Sequence, residues 1–324
     1  MNIKKTHLYI VIITVALLVL LVFYIKPFKK QATEEKLQNA TKEWSVDKNG
    51  YLAYPLERGD IRFSRSDYGV DGNLTIHKII YESRNGNVYG ILILPDSAEE
   101  LPPGIILLPG SGVSKESELE LAKKIAFLDV AVLVIDQRGT GETTGKINDI
   151  KQDYADFLNG VEPSQHLMVY DVLKAYDLLK SAPFVDHGRI AIVGESLGGR
   201  IGIITAALDR NIEGVLAISA SGFDFEQTND TKVDRFLKSI DANHYVDLIT
   251  PRKIVMMHNA QDKIIPLDAA LKTFSLAEEP KQMIVVNDTG CNHGYCDSMY
   301  DGLVEALDYI IDIRSKTLVS VPDK

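Results

Sequence analysis

Residues 189–199 read RIAIVGESLGG, and this stretch decides the fold. Its first five residues form a short apolar run that predicts a buried strand, and residues 197–208 are rich in small residues with helical spacing. Between them, Ser196 lies in the pattern G-x-S-x-G. A serine at this spacing between a strand and a helix occupies a sharp turn that exposes its hydroxyl. Ser196 is therefore a candidate nucleophile.

A serine hydroxyl is a weak nucleophile at neutral pH and needs a histidine base with a carboxylate to orient it. Asp262 follows the strand-like run 253–258, and His293 lies in the loop after the strand-like run 282–286. Two alternatives stay open, since His258 ends the strand before Asp262 and Asp224 follows the preceding strand. We favour His293 over His258, because His293 follows the last predicted strand and completes the chain order serine, aspartate, histidine of α/β-hydrolases. We favour Asp262 over Asp224, because the sequence of residues 262–266, DKIIP, resembles the turn that carries the acid in those enzymes.

From about residue 76 onward the chain resembles an α/β-hydrolase of the dienelactone-hydrolase and prolyl-oligopeptidase-like branch. Beyond the triad positions, the resemblance rests on Asp136-Gln137-Arg138-Gly139-Thr140-Gly141, which is similar to a D-x-R-G-x-G turn of that branch, and on residues 105–112, a strand entering a glycine-rich loop. It implies an oxyanion hole built from the backbone N–H groups of Leu197 and Ser111. The Asp136 and Arg138 side chains are expected to be structural.

The order of predicted elements fits this fold. A hairpin is expected from residues 76–82 and 88–94 around Asn85-Gly86, a type I′ turn signal. Strands and helices then alternate to the end of the chain, which predicts a mostly parallel sheet with helices on both faces and functional loops at the carboxyl ends of the strands. Two insertions, residues 146–163 and 223–250, are long enough to cover the site, or are simply surface helix and loop.

These features predict a serine hydrolase that cleaves carboxylic esters of small or medium size through an acyl-enzyme intermediate. One alternative is a serine exopeptidase that cleaves amides, because the triad does not distinguish the two bonds. Another is a binding protein that kept the fold without turnover. All three triad members are present, which argues against this last alternative.

Cofactors and metals are not expected. The glycines at 139, 141 and 145 do not fit the G-x-G-x-x-G spacing of a dinucleotide site. Cys291-x-His293-x-x-Cys296 offers three metal ligands within six residues, without the separated pairs that zinc sites use. The same two cysteines permit a disulfide around the histidine or two free thiols, and the sequence leaves these alternatives open.

The N-terminus carries a second signal. Residues 8–25 contain no charge and would span roughly 27 Å as a helix, enough to cross a hydrocarbon core. A cleaved signal peptide is the alternative, but no small-x-small site follows the segment. We therefore divide the chain into a tail (1–7), a transmembrane anchor (8–25), a juxtamembrane linker (26–60) and an α/β-hydrolase domain (61–324). Since a large domain follows an early span, we expect a single-pass membrane protein with an extracytoplasmic catalytic domain.

The overall composition is that of a folded globular protein, with 45% hydrophobic and 25% charged residues. The formal net charge is −10, and basic residues cluster only beside the apolar segment. Nucleic acid is therefore not an expected partner. The expected partners are an ester or amide substrate and the lipid bilayer.

Overall fold

The computed structural model describes residues 43–96 and 100–313. In chain order its strands are β1 (Ser45–Val46), β2 (Leu52–Ala53), β3 (Phe63–Asp71), β4 (Leu74–Ser83), β5 (Gly86–Pro95), β6 (Gly104–Leu108), β7 (Ala131–Ile135), β8 (Ile190–Glu195), β9 (Gly214–Ile218), β10 (Lys253–Asn259) and β11 (Lys281–Val286). The helices are α1 (Leu119–Ala126), α2 (Ile150–Leu158), α3 (Ser164–Ser181), α4 (Leu197–Leu208), α5 (Thr231–Ser239), α6 (Leu267–Leu276) and α7 (Tyr300–Ile311). Short 3₁₀ helices occur at Ala242–His244, Val246–Ile249 and Asp297–Met299.

The strands β3 to β11 form one sheet in the order β11-β10-β9-β8-β6-β7-β5-β4-β3. The six strands β11, β10, β9, β8, β6 and β7 are parallel, and β5, β4 and β3 extend the sheet in antiparallel pairing. This arrangement confirms the predicted mostly parallel sheet. The predicted hairpin is also present, because β4 and β5 pair from Ser83 and Gly86 onward. Its turn differs from the predicted type I′: the two turn residues are Arg84 and Asn85, and of these Asn85 alone has a positive φ, of 60°.

Helices cover both faces of the sheet, as the contacts of β8 show. Its Ala191 and Val193 belong to a buried cluster with residues of α1 and α7. The intervening Ile192 instead faces Gly202 of α4, where an added Cβ would lie 2.9 Å from it. Because successive side chains of a strand point to opposite faces, α4 lies on the face opposite to α1 and α7. The central strands are therefore buried on both sides and read as continuous apolar runs.

The chain divides into two units, Met1–Ser45 and Val46–Lys324. Within the second unit, residues 46–60, which the sequence placed in the linker, make specific contacts. The buried Leu52 donates its N–H to the Tyr245 hydroxyl at 2.8 Å. Arg58 pairs with Asp177 at 2.6 Å and with Asp209 at 2.7 Å.

The predicted anchor, residues 8–25, lies outside the described residues. Within residues 43–96 and 100–313, no helix is long and apolar enough to cross a bilayer.

Candidate active site

Ser196 occupies a sharp turn between β8 and α4. Its φ of 52° and ψ of −114° lie outside the regions that non-glycine residues prefer. The turn is closely packed: a Cβ on Gly194 would lie 2.4 Å from the carbonyl oxygen of Gly198, and a Cβ on Gly198 would lie 2.2 Å from that of Leu108. Glycines at both positions therefore let the helix begin directly behind the strand, which places the serine at the carboxyl end of β8.

His293 and Asp262 form a hydrogen-bonded pair. The Nδ1 atom of His293 lies 2.8 Å from Oδ2 and 3.0 Å from Oδ1 of Asp262. The carboxylate is fully buried, whereas 21% of the histidine side chain is exposed. Asp262 follows β10, and its Oδ1 also accepts the backbone N–H groups of Ile264 and Ile265 at 2.8 and 2.9 Å. With Nδ1 fixed on the carboxylate, Nε2 is the nitrogen that remains for proton transfer.

These hydrogen bonds keep Asp262 ionised. Burial alone would raise the pKa of the carboxyl, but the N–H of Ile265 and the imidazole of His293 hold that pKa below its usual value. A carboxylate that is charged at neutral pH can both hold the proton on Nδ1 and stabilise an imidazolium.

The loop that carries His293 is fixed to its surroundings by backbone hydrogen bonds. The N–H of Lys263 donates to the carbonyl oxygen of Asn292 at 3.1 Å, which joins the loop after β10 to the loop after β11. The side-chain amide of Asn259, the last residue of β10, donates to the carbonyl oxygen of Cys291 at 2.7 Å. The histidine loop is thus attached to the strand that positions the carboxylate.

A disulfide between Cys291 and Cys296 brackets His293. Of the alternatives that the sequence left open for these cysteines, the structure contains the disulfide. Both thiols of the Cys-x-His-x-x-Cys pattern are consumed by this bond and cannot act as thiolate ligands. Among the described residues, no group of three His, Cys, Asp or Glu side chains is arranged to hold a metal ion.

The residues after His293 pack against the residue before the nucleophile. Glu195 accepts the N–H of Tyr295 on Oε2 at 3.0 Å. A Cβ on Gly294 would lie 2.6 Å from the same oxygen, and the Ser219 hydroxyl donates to the carbonyl oxygen of Gly294 at 3.3 Å. The histidine loop therefore adjoins the end of β8, directly before Ser196.

The glycine-rich loop after β6 adjoins the nucleophile from another direction. A Cβ on Gly110 would lie 3.6 Å from the Cβ of Ser196. The loop is held by the side-chain amide of Gln137, which donates to the carbonyl oxygen of Pro109. Ser111 and Leu197 both line a cavity that also contains Ser196. The two predicted oxyanion-hole residues thus line the same cavity as the serine.

The alternative residues have other partners. His258 is buried, and its Nε2 lies 2.9 Å from the carbonyl oxygen of Ile265. Its nearest approach to Asp262 is 3.6 Å, so it packs behind the turn that holds the carboxylate. Asp224 is half exposed and pairs with Lys272.

The motif at residues 136–141 is structural, as expected. Asp136 is fully buried and accepts the N–H of Lys115 and the N–H of Glu142 at 2.8 and 2.9 Å. Arg138 makes two hydrogen bonds of 2.7 Å to Asp171. Both side chains fix the loops between β6, β7 and α3.

The cavity beside Ser196 has a volume of about 620 Å³. Both insertions contribute to its wall, since residues 147–151 precede and begin α2 and Phe223 belongs to the second insertion. The rest of the lining comes from α3, from Ser196 and α4, and from the loops after β6, β9 and β10. It comprises Ser111, Ile147, Asn148, Asp149, Ile150, Lys151, Gln165, Met168, Ser196, Leu197, Arg200, Ser221, Phe223 and Ile265.

Two further features of the site were not predicted from the sequence. The first is Arg200, which lines the cavity one helical turn after Ser196. The second is a buried contact between the carboxyl groups of Glu118 and Glu195. Burial and the neighbouring Glu195 raise the pKa of Glu118 to about 8, and burial also raises the pKa of Glu195. At neutral pH this pair therefore holds a proton.

The sheet order, the serine turn and the hydrogen-bonded aspartate and histidine define an α/β-hydrolase. A model of the acetyl xylan esterase (AXE1) family matches residues 54–253, and the chain belongs to this family. It is thus a serine hydrolase of the esterase type.

Individual relatives are distant. The uncharacterized protein Rv2307c of Mycobacterium tuberculosis is 23% identical over 246 residues, which cover 74% of this chain and 80% of the relative. Acetyl xylan esterase 1 from Thermoanaerobacterium sp. JW/SL YS485 superimposes with a TM-score of 0.64 at 15% identity, over 78% of this chain and 89% of that one. The acetyl xylan esterase from Paenibacillus sp. R4 gives 0.63 at 19% identity, over 79% and 89%. At these identities the solved structures support the fold alone.

Proposed function

We propose that the protein is a membrane-anchored carboxylesterase in which Ser196, His293 and Asp262 form the catalytic triad. The observation that carries this proposal is the hydrogen bond between Asp262 and His293. The loop that holds His293 also packs against Glu195, the residue before the serine. This arrangement supports a base that is already oriented and lies at the same end of the sheet as the nucleophile.

The proposed reaction has two halves. In the first, the Ser196 hydroxyl attacks the ester carbonyl, His293 Nε2 takes the hydroxyl proton, and the N–H groups of Leu197 and Ser111 stabilise the negative oxygen. The carbon–oxygen bond to the alcohol then breaks, the imidazolium gives the alcohol its proton, and an acyl-serine remains. In the second half, water attacks the acyl-serine with His293 again as the base, which releases the acid and restores the serine.

The substrate class follows from the family and from the size of the cavity. Membership of the acetyl xylan esterase family favours a small acyl group. A cavity of about 620 Å³ is larger than an acetyl group requires, so the remaining volume is available to the alcohol part or to a longer acyl chain. We therefore propose small or medium esters as substrates.

Covalent labelling with a fluorophosphonate, combined with a panel of 4-nitrophenyl esters and aminoacyl 4-nitroanilides, tests this proposal. We expect labelling at Ser196 and turnover of the esters. Ser196→Ala should abolish labelling and lower kcat by several orders of magnitude without changing the thermal unfolding temperature. Preferential cleavage of the anilides would instead indicate the exopeptidase alternative. Labelling and turnover that persist in Ser196→Ala would refute the assignment of the nucleophile.

The anchor and its orientation are also part of the proposal. The uncharged segment 8–25 is long enough to span a bilayer. The Cys291–Cys296 disulfide supports an oxidising, extracytoplasmic compartment, because disulfides persist there and are rare in the cytosol. Protease added to cells whose outer envelope layers are permeable, but whose cytoplasmic membrane is sealed, should degrade the catalytic domain while a cytosolic marker survives. Full protection of the domain until the membrane is lysed would contradict this orientation.

A further inference from the structure

Arg200 lies on the first turn of α4, directly after the nucleophile. Its backbone N–H donates to the carbonyl oxygen of Ser196 at 3.2 Å, so the two residues are one helical turn apart. Its side chain lines the same cavity as Ser196 and Leu197. A charged group in this position is within reach of whatever occupies the cavity.

The guanidinium is held in a fixed place by neutral groups. Its Cζ lies 3.7 Å from the centre of the Phe223 ring, and Nη2 donates to the side-chain oxygen of Gln165 at 3.1 Å. The buried Nε has no hydrogen-bond partner. Within residues 43–96 and 100–313, no carboxylate oxygen lies within 4.0 Å of Arg200, so it forms no salt bridge there.

Asp241 is the acidic residue that acts on Arg200, and its carboxylate is already engaged elsewhere. One oxygen of Asp241 accepts the N–H groups of Phe223 and Asn243 at 2.9 and 3.0 Å. Burial lowers the pKa of Arg200 to about 10, and the attraction of Asp241 only partly opposes this shift. Among the described residues, Arg200 therefore has no directly paired carboxylate.

A half-buried charge without a paired carboxylate costs the folded protein part of its hydration, and a bound anion would offset that cost. Arginine offers several N–H donors in one plane, which match the two oxygens of a carboxylate. The charged residues of the cavity lining are Lys151 and Arg200 against Asp149, a formal sum of one positive charge. This balance suits a single carboxylate rather than a doubly charged group.

We propose that Arg200 binds a carboxylate of the substrate, so that the enzyme selects esters that carry an anionic group beside the scissile bond. This inference rests on the proposed esterase function and specifies its substrate class. Arg200 acts in substrate recognition, whereas Ser196 and His293 act on the reacting atoms. Because the carboxylate can belong to the acyl part or to the alcohol part, the test includes both.

The test compares matched anionic and neutral esters. For the acyl part, the pair is the 4-nitrophenyl monoester of adipic acid and the corresponding methyl 4-nitrophenyl diester. For the alcohol part, the pair is 4-acetoxybenzoate and its methyl ester. In the wild-type protein we expect kcat/KM to be higher for the anionic member of at least one pair. Arg200→Gln should lower kcat/KM for that member by about 10- to 100-fold, the loss of a charged hydrogen-bonded contact, and change the neutral member by less than about threefold.

Two variants sharpen the comparison. Arg200→Lys keeps the charge and loses the planar fork, so it should retain part of the preference. Arg210→Gln removes the same charge from an exposed position beyond the other end of α4 and should leave the preference unchanged. The ratio of kcat/KM values within a pair does not depend on the fraction of folded enzyme, so a partly unfolded variant still gives a valid result.

The outcomes separate the inference from the proposed function. If Arg200→Gln and the wild type hydrolyse the esters with the same ratio of anionic to neutral kcat/KM, the role of Arg200 is overturned. The esterase proposal still stands in that case. If the wild-type protein hydrolyses neither pair, the esterase proposal fails, and calorimetry on Ser196→Ala with 4-acetoxybenzoate then decides the binding role. Binding that is lost in the double variant Ser196→Ala/Arg200→Gln supports the role, and equal or absent binding overturns it.

Discussion

At the scale of single residues, the choice of carboxylate is the sharpest test of the site. Asp262 holds Nδ1 of His293 at 2.8 Å, whereas Asp224 pairs with Lys272 at the surface. Asp262→Asn should lower kcat by roughly 10⁴-fold, because the amide favours the wrong tautomer of the imidazole. Asp224→Asn is the matched control and should stay within about twofold of wild type. Steady-state kinetics on a 4-nitrophenyl ester measures both, and the reverse ranking would mean that the acid is misassigned.

The residues of the candidate triad could be predicted from the sequence because each follows a predicted strand. Parallel strands place their carboxyl ends at one edge of the sheet, so Ser196, Asp262 and His293 were expected there. Arg200 could not be found this way, because a lone arginine on a helix is normally solvated. The position of its guanidinium in the cavity depends on Phe223 and Gln165, which come from other parts of the chain. The contact between Glu118 and Glu195 likewise exists only through the tertiary fold.

At the scale of elements, the approach of α4 to the sheet depends on Gly198. An added Cβ would lie 2.2 Å from the Leu108 carbonyl oxygen and 2.7 Å from that of Pro109. Since backbone atoms cannot yield as a flexible side chain can, Gly198→Ala should lower the free energy of unfolding by about 1–3 kcal/mol. It should also reduce kcat, because the helix start is displaced. The measurement is urea unfolding together with ester turnover.

Gly69→Ala is the control for this substitution, because nothing lies within 4 Å of the position of its added Cβ. It should change the unfolding free energy by no more than about 0.5 kcal/mol. If Gly198→Ala proved as mild as Gly69→Ala, the close packing of α4 behind Ser196 would not be a requirement of the fold.

The disulfide around His293 is an element-scale restraint on the site. Closing a loop of this length stabilises a protein by about 2 kcal/mol in the chain-entropy model. We expect the double variant Cys291→Ser/Cys296→Ser, or reduction of the wild-type protein, to lower the unfolding temperature and kcat together. Reducing agent should have no effect on the double variant, which controls for other actions of the reagent. Unchanged kcat after complete reduction, verified by thiol titration, would show that the bond does not position the histidine.

The alternation of strands and helices was predictable, and β3 shows where the sequence was insufficient. Residues 63–71 read FSRSDYGVD, and eight of the nine are exposed. A strand that buries neither face carries no alternation of apolar and polar residues, so its only determinant is the pairing with β4. The sequence indicated two insertions, but their joint contribution to the cavity wall depends on the assembled fold.

At the scale of the whole molecule, the buried carboxyl pair couples global stability to pH. The pKa of Glu118 is about 8 in the folded protein and about 4.5 in an unfolded chain, close to the glutamate reference value. The folded state therefore binds more protons than the unfolded state between these two values. Because stability falls with rising pH wherever the folded state binds the extra proton, this contribution is complete below about pH 4.5 and is lost as the pH rises through about 8.

Glu118→Gln isolates that contribution, since a neutral amide of the same shape can still donate a hydrogen bond to Glu195. We expect the unfolding temperature of the wild-type protein to decline relative to that of Glu118→Gln as the pH rises from 5 to about 8, and the difference to level off between pH 8 and 9. Glu120→Gln is the control, because Glu120 is exposed on the neighbouring helix α1 and its substitution should leave the pH dependence of the wild type intact. Thermal unfolding followed by circular dichroism at each pH gives the comparison. Parallel curves of unfolding temperature against pH for wild type and Glu118→Gln would mean that Glu118 and Glu195 share no proton. The two carboxyl groups would then ionise independently of each other.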